Sequence, residues 1–135
     1  MTNSSWTAGP VLVVDDNEDA ADGLAALLRG ELGCAVYTAY DGAEALDKAG
    51  EVHPEVVVMD ITMPHVDGIE AAGLLRRVFR HKAPRLIAVS GRCSEADAEE
   101  AQAWGFDHLL AKPVDVARLV DAVRGTPEHH RRTPR

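Results

Sequence analysis

Five short apolar runs divide the chain: "VLVV" (11–14), "CAVYTAY" (34–40), "VVVM" (56–59), "RLIAVS" (85–90) and "FDHLLA" (106–111). Each has the length of a buried strand, and the stretches between them carry apolar residues at helical period. Ala20, Leu24, Leu27 and Leu28 fall at i, i+4, i+7 and i+8. Ala71, Leu74, Leu75 and Val78 repeat at i, i+3, i+4 and i+7, as do Val116, Leu119, Val120 and Val123. A weaker pattern over about 42–50 carries Ala45, Leu46 and Ala49. Asp41 with Glu44 and Ser94 with Asp97 have capping-box spacing, and Asp115 can cap the last helix. Gly33 and Gly125 stand just past helical patterns, where a left-handed residue is wanted.

Strand and helix thus alternate five times. Such alternation predicts an α/β fold with a parallel sheet covered by helices on both faces, because each parallel crossover must be helical. Residues 1–9 read as a flexible leader, 10–124 as one domain, and 125–135 as a flexible tail that closes in the basic "RRTPR".

Composition narrows the field. A chain of 135 residues can bury one core without staples, and 46% hydrophobic with 27% charged residues is ordinary for a globular domain. The net charge of -8 argues against nucleic acid as a direct partner. No apolar run approaches the roughly 20 residues that span a membrane. The opening "MTNSSWTAGP" lacks the basic and apolar regions of a secretory signal. Cys34 and Cys93 show no metal-ligand spacing and read as reduced thiols of a cytoplasmic protein.

In an open parallel sheet the functional crevice lies beyond the carboxyl ends of the strands. Here the first strand ends in Asp15-Asp16, the third in Asp60, the fourth in Ser90-Gly91 and the fifth in Lys112-Pro113. The second, ending Thr38-Ala39-Tyr40, offers nothing comparable. A flavodoxin-like strand order, 2-1-3-4-5, would set the four chemically equipped strands side by side with the silent one at the edge.

Three clustered aspartates repel one another and stay ionised only if a cation joins them. Oxygen-only ligands suit a hard ion such as Mg²⁺, which keeps several waters. Lys112 could then offset charge on a second oxygen group, and Ser90 could donate a hydroxyl hydrogen bond to it. Carboxylates, hard metal, lysine and hydroxyl are the parts of phosphoryl transfer with a carboxylate as possible nucleophile. Asp60, central on the middle strand, is the best-placed acceptor.

At these residues the chain resembles the response-regulator receiver domains of two-component signalling. "VLVVDDNED", "MDITMPHVDG", "AVSG" and "LLAKPVD" occur in that family's order over about 10–124. The resemblance implies a flavodoxin-like (βα)5 fold and a phosphoacceptor at Asp60. It implies Mg²⁺ (or Mn²⁺) held by Asp16, Asp60 and the backbone carbonyl of Thr62, with Asp15 acting mainly through water. Ser90 and Lys112 would turn toward the phosphoryl group, and the bond before Pro113 would be cis. Pro64 and Gly68 would belong to the loop after the acceptor strand, with Thr62 and Arg92 flanking the site. The donor would be a histidine kinase or histidine phosphotransfer protein. The output would be a conformational change on the face of the fourth helix, fifth strand and fifth helix, read by a protein target the sequence does not name. The resemblance implies no metabolic enzyme, only self-phosphorylation and slow autodephosphorylation.

One position departs from the family pattern. Leu109 occupies the place where an aromatic ring often swings inward, so a ring-coupled output is not expected. A phosphorylation-independent binding module that keeps the pocket is the alternative, opposed by the complete acid–hydroxyl–lysine set. A phosphatase of another α/β family would want an acid at position 62, which is Thr. Asn17, Glu18 and Asp19 read as helix-start residues, Met59 and Trp104 as packing, and Cys93 as a bystander.

Overall fold

Successive residues of the central strands bury opposite faces of one sheet. Val11, Val13, Val56, Val58, Ile87 and Val89 face one core; Leu12, Val14, Val57, Met59, Leu86 and Ala88 face the other. Every strand residue from Val56 to Met59 is at most 1% exposed, as a strand covered on both sides requires. At about 1.5–3 kcal/mol for each fully buried Val, Leu or Met side chain, these two layers are the main stabilising term of the domain.

The computed structural model describes residues 9–61, 72, 73, 75–77 and 84–125. In chain order these form β1 (Val11–Val14), α1 (Glu18–Leu32), β2 (Val36–Ala39), α2 (Gly42–Val52) and β3 (Val56–Asp60). Residues 72, 73 and 75–77 are helical and represent α3. Then follow β4 (Arg85–Ser90), α4 (Glu95–Trp104), β5 (His108–Ala111) and α5 (Val116–Arg124). All strand pairs are parallel, in the order β2-β1-β3-β4-β5. This is the flavodoxin-like topology, with β3 at the centre. Ala21, Ala25 and Leu28 of α1 and Leu119 and Val123 of α5 close one core; Ala45 and Ala49 of α2, Ala72, Leu75 and Ala101 close the other.

The helix signals hold at the atomic level. Asp41 accepts a hydrogen bond from the Glu44 N–H, and Ser94 with Asp97 makes both bonds of a capping box. Asp115 accepts from the Ala117 and Arg118 N–H groups. Glu44 departs from a full box, because its carboxylate accepts from the Tyr40 N–H instead of the cap residue's own. Gly33 and Gly125 are left-handed, at φ 67° and 68°.

Two strands are shorter than their apolar runs. Phe106 is buried, but its N–H bonds back to the Ala101 carbonyl and so closes α4 rather than opening β5. At the end of β2, the Glu44 carboxylate takes the Tyr40 N–H out of the ladder. Of the expected leader and tail, only Gly9 and Gly125 belong to the described residues. Among the described residues no helix is long and apolar enough to cross a membrane.

Candidate functional site

The carboxyl ends of β1, β3, β4 and β5 lie side by side, and each contributes as its sequence suggests. Asp60 is the last residue of β3, and Ile61 beyond it still donates to the Val89 carbonyl, which fixes the strand end. The Asp60 side chain is 12% exposed and accepts a 2.9 Å bond from Lys112 Nζ. Lys112 follows β5 directly, and its N–H is tied to the Ser90 carbonyl. The Lys112-Pro113 peptide is cis, as the family resemblance implies.

Asp15 follows β1, held by its N–H on the Ala39 carbonyl at 3.1 Å. Its Oδ1 accepts from the Asn17 N–H at 2.9 Å, while Asn17 itself caps α1 by accepting from Ala20 N–H. The Asp15 and Asp60 carboxyl groups line the same cavity. Burial pushes the Asp15 carboxyl above its ordinary value, and the charge of Asp60 adds to this. The Asn17 N–H and Lys112 pull in the other direction without cancelling it. Two carboxylates therefore share a site that one ammonium neutralises incompletely.

Asp16 is exposed on the turn after β1, next in the chain to Asp15. Ser90 is 5% exposed, and its Oγ accepts from the Arg92 N–H at 3.0 Å. A hydroxyl in that role keeps its own hydrogen to donate elsewhere. Leu109 is half-buried and packs on the core that contains Met59 and Ala88. Thr62, Pro64 and Gly68 lie outside the described residues. Cys93 is exposed, and burial with the nearby Asp97 charge pushes its thiol up, away from the reactive thiolate form.

The chemistry of the donor set fits a hard cation. Asp15 and Asp60 present only oxygen and line one cavity together. Among the described residues, no group of three or more His, Cys, Asp or Glu side chains converges on one point. An ion there would complete its shell with water and main-chain oxygen, the habit of Mg²⁺.

A contact with no counterpart in the sequence pattern lies at the opposite strand ends. Asp107 accepts from the Leu86 N–H through Oδ2 and from Arg76 Nη2 through Oδ1, both at 2.9 Å. Arg76 Nε also donates to the Gly105 carbonyl. This bracket ties α3 to the turn before β5, across a separation of 31 residues.

Fold and site together define a flavodoxin-like signalling domain whose acids, lysine and hydroxyl meet at the carboxyl edge of the sheet. The family model described as "Response regulator receiver domain" matches residues 11–124. The chain belongs to the response regulator receiver domain family of two-component signalling. Protein PilG of Pseudomonas aeruginosa is 32% identical over 114 residues, 84% of each chain. The Saccharomyces cerevisiae receiver domain of the response regulator Ssk1, solved with the histidine phosphotransfer signaling protein Ypd1, superposes with a TM-score of 0.76. That match has 25% identity and covers 87% of this chain and 88% of the other. The Borrelia burgdorferi CheX-CheY-BeF3-Mg complex gives 0.74 at 28% identity, covering 87% of each chain.

Proposed function

We propose that this receiver takes a phosphoryl group onto Asp60 from a histidine kinase or histidine phosphotransfer protein, in a Mg²⁺-dependent reaction, and thereby switches a protein partner. The observation that carries the proposal is the set of groups around Asp60: Lys112 on one oxygen, Asp15 in the same cavity, and Ser90 at the end of the adjacent strand. Complexes solved for relatives support the reading of partner and ion, since one pairs a receiver with a histidine phosphotransfer protein and another includes Mg.

In the proposed step an Asp60 carboxylate oxygen forms a bond to phosphorus while the P–N bond of a phosphohistidine breaks. The electron pair of that bond leaves with the imidazole, which takes up a proton. Mg²⁺ held by Asp15, Asp16, Asp60 and the Thr62 carbonyl would supply positive charge to the acids and the incoming oxygens. Lys112 stays at the acceptor and balances one of the added charges. Ser90 donates its hydroxyl hydrogen to a phosphoryl oxygen while it continues to accept from Arg92. The phosphoryl group brings a charge of about −1.5 to −2 with three strong acceptors, enough to redraw bonds at the ends of β4 and β5. The product is a conformation rather than a metabolite, so the domain acts as a switch that phosphorylates itself and slowly hydrolyses the bond.

Intact mass after incubation with phosphoramidate tests this reading. One added phosphoryl group is expected with Mg²⁺ and none with excess EDTA. Uptake indifferent to the metal would overturn the Mg²⁺ dependence.

A further inference from the structure

We propose that the cavity beside Asp60 is a binding site for a small amphipathic cation, with one ring or a short aliphatic body and a single ammonium head. The cavity holds about 250 Å³ between the sheet, α1 and the segment after β5. Its floor is Val13, Val58 and Val89, which are 1%, 1% and 4% exposed. Leu24 of α1 and Pro113 and Val114 form the sides. Asp15, Asp60 and Lys112 also line it and are more exposed than the valines, which sets them at the open end.

Size and chemistry fix the ligand class. Close-packed interiors rarely leave voids much larger than a water molecule. An apolar cavity of about 150 Å³ takes up benzene, so this one accommodates a single ring with a linking carbon. Its valine and leucine walls offer water few partners, and an apolar body displaces such water readily. The polar end selects the head group. It carries two carboxylates and one ammonium, and that ammonium already donates to Asp60 at 2.9 Å. An anionic head would add a third negative charge there. An ammonium head instead meets the carboxylates of Asp15 and Asp60, which both line the cavity.

The site would have a regulatory consequence that rests on the phosphoacceptor reading. A cation on Asp15 and Asp60 occupies the acids that the metal would use, so the ligand would hold the domain unphosphorylated. The binding itself does not depend on that reading.

The test uses the full chain labelled at Val and Leu methyl groups, titrated with cyclohexylmethylammonium and, separately, with the neutral cyclohexylmethanol. Saturable shifts are expected at Val13, Leu24, Val58, Val89 and Val114, with the ammonium binding at least tenfold more tightly than the alcohol. Nuclear Overhauser contacts from the ligand ring to the Val58 and Val89 methyls should place it without any substitution. Ala20 also lines the cavity and is exposed on α1, so Ala20→Leu should fill the space and weaken binding at least tenfold. Absence of saturable shifts at these methyls, or of the ring contacts, would overturn the cavity as a site. Equal affinity for alcohol and ammonium would overturn the assigned head group. Because no phosphodonor or metal is present, failure of phosphorylation leaves this result unaffected, and the converse holds.

Discussion

Lys112 Nζ donates to Asp60 Oδ2 at 2.9 Å although their strands do not touch, for β4 lies between β3 and β5. The side chain therefore bridges two strand spacings of roughly 4.8 Å each. The bond couples the central strand to the edge strand directly, past the end of β4 where Ser90 sits. A change in charge at Asp60 would act on Lys112, next to β5, directly.

Asp15 gives the metal-free protein a particular pH dependence. Its carboxyl is raised in the folded state by burial and then by Asp60, so the folded protein binds that proton more tightly than the unfolded chain does. This group's contribution is fully present below the unfolded value of 3.8 and is lost as pH rises through the higher folded value. Asp15→Asn should remove that slope and stabilise the metal-free protein at neutral pH by roughly 0.5–1 kcal/mol, the scale of a partly screened pair. Urea unfolding across pH 3–7, on the order of the carboxylate range, checks both parts. A wild-type slope that persists in the variant would contradict the assignment.

Under the proposed function, substitution at Ser90 should separate acceptance of the phosphoryl group from the response to it. Ser90→Ala should still gain phosphoryl mass, because Asp60, Asp15 and Lys112 remain. The amide shifts of Leu109, Leu110 and Ala111 on phosphorylation should fall to less than half the wild-type size. A full response in Ser90→Ala would place the coupling elsewhere, with the Lys112 bridge the first place to look.

Leu109 pairs in register with Ala88 and is only partly buried. Leu109→Ala should cost about 1–2 kcal/mol in denaturant unfolding, below the roughly 2–5 kcal/mol typical of a fully buried leucine. Since an aliphatic side chain has no ring to swing, phosphoryl uptake should be unchanged in this variant. A loss of uptake would show that Leu109 shapes the acceptor site itself.

Gly125 closes α5 at φ 68°, and a Cβ there would run into the guanidinium of Arg85. The guanidinium is the far end of a flexible side chain and can move aside, so the left-handed backbone is the main penalty. Gly125→Ala should destabilise by roughly 1–2 kcal/mol. Thermal unfolding of the variant checks this, and a loss well above that range would show that Arg85 is held in place.

Much of this architecture was legible in the residues because the sheet is buried on both faces. Val56 to Met59 had no polar alternative to an interior strand, and caps such as Asp115 announce helices locally. The chemistry was legible for the same reason: Asp15, Asp60, Ser90 and Lys112 each interrupt an apolar run at its carboxyl end. What the chain pattern does not encode is side-chain partnership between distant elements. The bond from the Asn17 N–H to Asp15 Oδ1 depends on how the turn into α1 aims that carboxylate. The Arg76–Asp107 bracket has no period at all, and the start of β5 moved inward because Phe106 serves α4 instead.

The phosphoryl group is expected on Asp60. Borohydride reduces an aspartyl phosphate to homoserine, so peptide mass mapping after phosphorylation with Mg²⁺ reads the position directly. Homoserine at position 60 in the wild type, and no such peptide from Asp60→Asn, is the predicted result. Homoserine at Asp15 or Asp16 instead, or none anywhere despite added phosphoryl mass, would contradict it.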